Sequence, residues 1–247
     1  MNSTLHAYAT RAGVRTVLAL GLATALHGLT ASSSARQPAG SAIPRGHATV
    51  TGKADAIDGD TLVLGGIRVR LEGIDAPEID QTCVDHAGQV WRCGSEARAA
   101  LAHLVAYRQV TCEERGLDKY KRILAVCRAG GIELNAEMIR RGLAWAFVRY
   151  SRSYVADEAR ARAQRIGIWA GEAQPAWHYR TGSWTTAQSN APAGCPIKGN
   201  VGVNGRIYHM PWSPWYAKVV IDESRGEHWF CSEKDAIAAG WRPAHGS

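Results

Sequence analysis

The chain of 247 residues has no Cys-x-x-C pair and no internal repeat, and its composition carries no sign of disorder. Without Cys-x-x-C spacing, a structural zinc site is only a weak alternative use for its six cysteines. No apolar run is long enough for a comfortable membrane span. The best candidate, "TVLALGLATALHGLTA", is short and broken by His27 and Gly28. No cysteine lies beside that run, which argues against a lipid anchor. Acids are also in short supply. Lys and Arg number 29 against 22 Asp and Glu, a formal charge of +7 with a pI near 9.3. Such an excess favours a polyanionic partner such as nucleic acid or an anionic surface. A basic soluble protein without such a partner is the alternative.

What is present begins with a leader. "MNSTLHAYATRAGVR" holds two arginines and no acid, the apolar run follows, and "SSSA" supplies small residues. The pattern predicts a signal peptide over 1–35, cleaved after Ala35, with an uncleaved anchor as the alternative. The small, polar, proline-bearing stretch 36–47 reads as a linker. The destination is then secreted or periplasmic, with no stable membrane anchor expected.

From Ala48 the pattern becomes short strands. "TLVLGGIRVRLEGID" alternates apolar and polar residues about Gly65-Gly66, a two-residue hairpin signal. Counting back from the turn sets Leu64 opposite Ile67 and Thr61 opposite Arg70. Val69 and Leu71 share one face with Ile67, and Arg68, Arg70 and Glu72 share the other. Ser95–Tyr107 is an amphipathic helix with Ser95 as candidate N-cap, a second helix begins near Asn135, and a third spans Ala156–Ala170. Two strand-like runs surround "LDKYKR". Strands with helices inserted and appended predict an α+β, mainly β fold, a small barrel over 48–180. A polar linker is expected at 181–194. A compact segment follows at 195–247, with two or three strands and a helix capped by Ser232 and stopped by Gly240.

The cysteines suit an exported protein. Six allow fifteen pairings, and spacing alone does not decide among them. Local context suggests Cys83–Cys93 around a loop, Cys112–Cys127 across two strands, and Cys195–Cys231 as the staple of the small C-terminal segment.

The hairpin collects acids at its ends and arginines on one face. Asp60 and Asp75 are oxygen donors of the kind Ca²⁺ accepts. Glu78, past Pro77, is placed to act as a general base toward a metal-bound water. Arg70 and Arg122 are two guanidiniums for the charge growing on a pentacoordinate phosphate. Taken singly, each residue is ordinary turn or surface chemistry. Together they describe a phosphodiester-cleaving site.

The set "IDGDTLVL…IRVRLEGIDAPE…DKYKRILA…MIRRGLAWA" resembles the staphylococcal (micrococcal) nuclease family over about Thr49 to Trp169. The resemblance implies a five-stranded OB-type β-barrel with three helices, and Ca²⁺-dependent hydrolysis of DNA and RNA that leaves 3′-phosphates. It makes Asp60 and Asp75 the calcium carboxylates. Ala76 stands where threonine is common, and the backbone carbonyl that binds the metal survives the change. Glu78 falls on the base, and Arg70 and Arg122 fall on the phosphate clamp. Lys119 and Tyr120 line the nucleotide pocket, and Asp58 is an acid near the metal.

Three departures accompany the match. Lys121 replaces a usual glycine. The loop 78–97 differs from the family's lysine-rich one and reads as pinned by Cys83–Cys93. Of two expected pocket tyrosines, a gapless alignment yields Val148 and Tyr150, leaving Tyr154 for another role. The C-terminal segment resembles a small module found after such nucleases and, more distantly, zinc modules of repair proteins. It lacks their metal cysteines, so it reads as disulfide-stapled. Seven of the nine tryptophans lie from Trp169 onward. They serve as module core, or bind nucleic acid or polysaccharide. His209 reads as structural. The function expected is a secreted, monomeric, calcium-dependent nuclease. The alternatives are a non-catalytic OB-fold nucleic-acid-binding protein, or an envelope- or polysaccharide-associated protein acting through its C-terminal module.

Overall fold

Strands β1 (Thr49–Gly52), β2 (Ala54–Ala56), β3 (Thr61–Leu64), β4 (Ile67–Leu71) and β5 (Ile74–Asp75) open the chain in a computed structural model that describes residues 48–118 and 122–244. The expected signal peptide and linker, and Lys119, Tyr120 and Lys121, lie outside the described residues. Next come β6 (Cys83–Val84), β7 (Val90–Trp91), α1 (Cys93–Val105), β8 (Val110–Leu117), β9 (Ile123–Ala129), β10 (Ile132–Glu133), α2 (Leu134–Arg140), β11 (Trp145–Ala146) and α3 (Val155–Ala163). The C-terminal part holds α4 (Ala176–Asn190), β12 (Ile197–Gly202), β13 (Gly205–His209), β14 (His228–Phe230), α5 (Glu233–Ala238) and β15 (Arg242–Pro243).

The fold is mixed α+β and mainly sheet. Among the described residues the main sheet runs β1-β8-β9-β4-β3-β2, with β10 on β9, and only the β4–β9 pairing in it is parallel. It counts seven strands rather than the expected five, and no ladder among the described residues closes it into a barrel. The hairpin has the expected register, with Thr61 opposite Arg70 and Leu64 opposite Ile67. Gly65 and Gly66 both take positive φ, 55° and 87°, as a two-residue turn matched to strand twist requires. Leu62, Val69 and Leu71 are buried on one face, while Arg68 and Arg70 emerge on the other.

Helix α1 sits on this sheet through Ala97, Leu101, Leu104 and Val105, one stripe of a 3.6-residue period. It begins at Cys93, two residues before the expected cap. Ser95 lies inside the first turn, where its Oγ donates to Ile79 O at 3.2 Å. Asn135, fully buried on α2, ties the helix to the sheet. Its Oδ1 accepts from Cys127 N at 3.0 Å, and its Nδ2 donates to Glu72 O at 3.0 Å and Ala125 O at 3.1 Å. Tyr154, left without a pocket role by the alignment, is buried and donates to Glu133 Oε1 at 3.0 Å. Its work is packing.

The cysteines pair as Cys83–Cys93, Cys112–Cys127 and Cys195–Cys231. The middle pair joins residues directly opposite on β8 and β9. The stretch 181–194, expected as a linker, is instead helical to Asn190. Its polar residues hid the helix because α4 buries almost nothing of its own; only Ala176 is fully covered. The C-terminal sheet runs β14-β12-β13-β15 over a core of Ile197, Tyr208, Met210, Ala236 and Trp241. As expected, Ser232 caps α5, accepting from Asp235 N at 3.2 Å. Both sheets belong to a single compact unit, and Arg68 Nη2 donates across to Ala244 O at 3.2 Å. His209 is buried with Nε2 at 2.9 Å from Asn200 Oδ1, a structural contact. No helix among the described residues is long and apolar enough to cross a membrane.

Replacing Asn135 by Ala removes three hydrogen bonds and takes this partner from Cys127 N and Glu72 O, while Ala125 O keeps Glu72 N. The expected loss is about 2–4 kcal/mol, read from urea unfolding midpoints at an unchanged slope.

Candidate active site

The turn Asp58-Gly59-Asp60 sets the first carboxylate. Asp58 Oδ1 accepts from Asp60 N at 2.9 Å and fixes the turn. A Cβ on Gly59 would lie 2.6 Å from Ala76 Cβ and 2.7 Å from Ala97 Cβ, so only glycine lets the turn press against the loop and α1. Asp60 Oδ2 accepts from Ala76 N at 2.9 Å, and its Oδ1 accepts from Arg70 Nη1 at 2.5 Å and Thr61 Oγ1 at 3.1 Å. Asp75 has no exposed surface, and β5 is held by β11, with Trp145 opposite Asp75. Arg70 Nη2 donates to Asp75 Oδ1 at 2.8 Å. One guanidinium, placed by the register of the hairpin, therefore bridges the two acids.

Glu78 sits on a loop clamped from three sides. Glu78 N donates to Gln81 Oε1 at 3.1 Å, and Gln81 Nε2 donates to Gln174 O at 2.5 Å. Gly94 N donates to Gln81 O at 3.2 Å, and a Cβ on Gly94 would fall 1.6 Å from Glu78 O. The Cys83–Cys93 bridge holds the far end of the loop against the start of α1. Arg122 is oriented by Asp118, whose Oδ2 accepts from Arg122 Nε at 2.6 Å and whose Oδ1 accepts from Arg122 N at 2.8 Å.

A third arginine, absent from the sequence reading, enters from α4. Arg180 Nη2 donates to Asp75 Oδ2 at 2.7 Å, and its Nη1 donates to Glu78 Oε1 at 2.6 Å and Asp75 Oδ1 at 3.2 Å. Its side chain is 24 % exposed. Four carboxylates (Asp58, Asp60, Asp75, Glu78) thus meet two guanidiniums (Arg70, Arg180), a formal excess of two negative charges. The cost is visible in the acids. Burial raises Asp60 above the usual carboxylate range against the pull of Arg70, and the Asp58 charge adds to the rise. Burial pushes Glu78 up to about 8 even though the Arg180 charge and hydrogen bond draw it down. Burial works against the Arg70 charge too, but Asp60 and Asp75 outweigh it and hold that guanidinium above its ordinary range.

Asp58, Asp60, Arg70, Ala76, Glu78, Arg122 and Tyr150 line one cavity of about 540 Å³. Asp75 lies beneath it, reached through Arg70 and Arg180. Val148, the other aligned pocket position, is exposed and outside this lining. The same lining includes Arg180, which the sequence did not mark, and Trp177, Trp184 and Trp212, three of the late tryptophans weighed as module core or as binding groups. The spacing of Trp177, Arg180 and Trp184 is one helix face, a signal that was present in "WHYRTGSW" but lay across the expected domain boundary at 180.

The family model described as "Staphylococcal nuclease homologue" matches residues 68–171, and one described as "ArfC" matches residues 176–243. A "Micrococcal nuclease" of Shigella flexneri is 39% identical over 145 residues, which are 51% of this chain and 78% of the relative. A "Succinoglycan biosynthesis protein ExoI" of Rhizobium meliloti is 38% identical over 136 residues, 54% of this chain and 71% of the relative. An "Uncharacterized endonuclease" of Haemophilus influenzae is 36% identical over 120 residues, 46% of this chain and 62% of the relative.

Two substitutions test the geometry. Gly94→Ala forces the Glu78 loop away from α1, and an overpacking loss of about 1–3 kcal/mol is expected in chemical unfolding. Arg180→Met leaves Asp75 and Glu78 short of a partner. The expected loss is about 2–4 kcal/mol after allowance for partial exposure. Arg180→Lys, with no planar fork, is expected to restore only part of it.

Proposed function

We propose that this chain, which belongs to the staphylococcal nuclease homologue family, is an exported nuclease that hydrolyses the phosphodiester bonds of DNA and RNA with Ca²⁺ as cofactor. The observation that carries the reading is the single cavity in which Arg70 joins Asp60 to Asp75 while Glu78 and Arg122 share its lining. The nuclease-named relatives support hydrolysis. The leader-like N-terminus and three disulfides support export to the periplasm or medium. Action as a monomer is part of the same reading.

Among the described residues no three acid, His or Cys side chains are gathered as a ready metal site, and Arg70 and Arg180 hold the carboxylates; the donor chemistry nonetheless suits a hard divalent cation. Two buried carboxylates, Asp60 and Asp75, and the Ala76 carbonyl are oxygen donors, with water to complete the shell. The excess of negative charge, and the upward push on Asp60 and Glu78, is what a bound divalent cation relieves. When bound there, Ca²⁺ supplies Lewis-acid stabilisation of a phosphoryl oxygen. Arg70 and Arg122 present guanidinium forks to the phosphate, and Arg70 exchanges a carboxylate partner for a phosphate oxygen as substrate enters. Glu78 accepts a proton from the attacking water. A bond forms between that oxygen and phosphorus, and the bond to the 5′ oxygen breaks. The 5′ oxygen takes up a proton, leaving a 3′-phosphate and a 5′-hydroxyl.

Single-stranded DNA is expected to be cut in Ca²⁺ and to stay intact in EGTA. Glu78→Gln is expected to lower kcat by roughly 10²–10⁴, and Arg70→Lys or Arg122→Lys by roughly 10²–10³. Binding without cutting by the parent chain in Ca²⁺ would contradict the reading. A base works only unprotonated, so kcat/KM is expected to fall at low pH as Glu78 takes up its proton; burial holds Glu78 up to about 8 in the cation-free chain, and bound Ca²⁺ moves the limb to lower pH. An acid limb left in place by Glu78→Gln would remove Glu78 from the role.

A further inference from the structure

Helix α4 has two working faces and no apolar stripe. Trp177, Arg180, Thr181 and Trp184, at spacings of three and four, line the catalytic cavity. Tyr179, Gly182, Ser183 and Thr186 line a separate groove of about 570 Å³ toward the C-terminal sheet. In that groove the cation is already engaged, since Lys198 Nζ donates to Tyr216 O at 3.0 Å and Val219 O at 2.7 Å. The catalytic face is different. Trp184 and Trp212 rest one side on the core of the C-terminal sheet, are half-buried, and border the same cavity as Arg70, Arg122 and Glu78. Arg149 borders it as well.

We infer that α4 and the C-terminal sheet complete the active-site cleft as a nucleobase subsite, in which Trp184 and Trp212 stack a base of a single-stranded substrate beside the phosphate clamped by Arg70 and Arg122. The assignment rests on the nuclease reading of the cavity and adds to it a specificity element from outside the family-matched residues 68–171. Three observations carry it. The tryptophans are anchored on one side and open to the cavity on the other, the arrangement a stacking platform needs. The cavity is shared with the catalytic arginines, so a base and its own phosphate are accommodated together. Its lining also offers Arg149, and Arg122 paired with Asp118, as guanidiniums for a backbone phosphate, beside the acids Asp118 and Glu233. A base seated against these rings has left its own stack, so the subsite selects single strands over duplex.

The test is binding anisotropy of the full chain in EGTA, where calcium-dependent cutting is off. Two labelled oligomers of equal phosphate count are compared, oligothymidylate and its abasic counterpart. The parent chain is expected to bind the base-bearing strand roughly 5- to 150-fold tighter, the worth of one aromatic stack. Trp184→Leu and Trp212→Leu are each expected to shrink that preference, and Trp184→Phe, which keeps a ring, to retain most of it. Near-UV circular dichroism identifies any variant that has not folded, and the other position then decides. Equal affinity of the parent for both oligomers, or a preference unchanged in both leucine variants, would overturn the subsite. So would anisotropy competition by a neutral oligosaccharide but not by unlabelled oligothymidylate. A parent chain that shows the base preference yet cuts nothing in Ca²⁺ would fail the nuclease reading and leave the stacking site standing. Cutting without base preference would do the reverse.

Discussion

Everything at the centre of this molecule answers to the burial of three carboxylates, Asp60, Asp75 and Glu78, within reach of one another. Carboxylates removed from water are costly unless charge and hydrogen bonds are supplied in place. Asp75 has no exposed surface at all, and all its visible partners are guanidinium groups from Arg70 and Arg180. Those arginines come from elements far apart in sequence, β4 and α4, so the acid cluster draws the hairpin and the C-terminal helix toward one point. Two cations against four acids leave the balance incomplete, and the incompleteness is chemically useful. In the proposed reading, that shortfall of positive charge is met by a divalent ion, and the arginine that bridges two acids is then drawn to a phosphate.

The rest of the fold serves that geometry. The Gly65-Gly66 turn sets the hairpin register and so the face from which Arg70 reaches Asp60. Asn135 holds α2 to the backbone of Glu72 and Ala125, just ahead of the short strand that carries Asp75. Gly59 and Gly94 are places where the backbone of one element touches another too closely for any side chain. Gln81 relays the position of the Glu78 loop to Gln174, two residues before α4 begins, so Glu78 and Arg180 are positioned by connected backbone.

Much of this was legible in the sequence because it is local. Hairpin register follows from counting about a glycine pair, helix positions follow from apolar spacing, and the disulfides close within substructures. The acid and arginine set was readable as chemistry because each residue sits in a short, ordered motif. Arg180 was not, since nothing near it in sequence hints at partners 102 and 105 residues away. Helix α4 was missed for a related reason. Its Trp177 and Trp184 only partly pack on neighbouring cores and otherwise border cavities, so its one patterned face is short and crosses the expected boundary at 180. Sheet closure is likewise a property of the assembled strands, and the seven-strand count is invisible to a reading of strands one by one. The seven late tryptophans divide between roles that composition cannot separate. Trp241 is buried core, while Trp177, Trp184 and Trp212 line the cavity shared by Asp60, Arg70 and Glu78.

On the proposed reading, the buried acids form a cation site whose charge is completed by Ca²⁺. Calorimetric titration of Ca²⁺ into the purified chain, beside an Asp75→Asn variant, tests it most directly. The account predicts one ion bound per parent chain and none bound at that site in the variant, with the variant still folded by circular dichroism. No heat of binding in the parent, or the same binding in both chains, would contradict it.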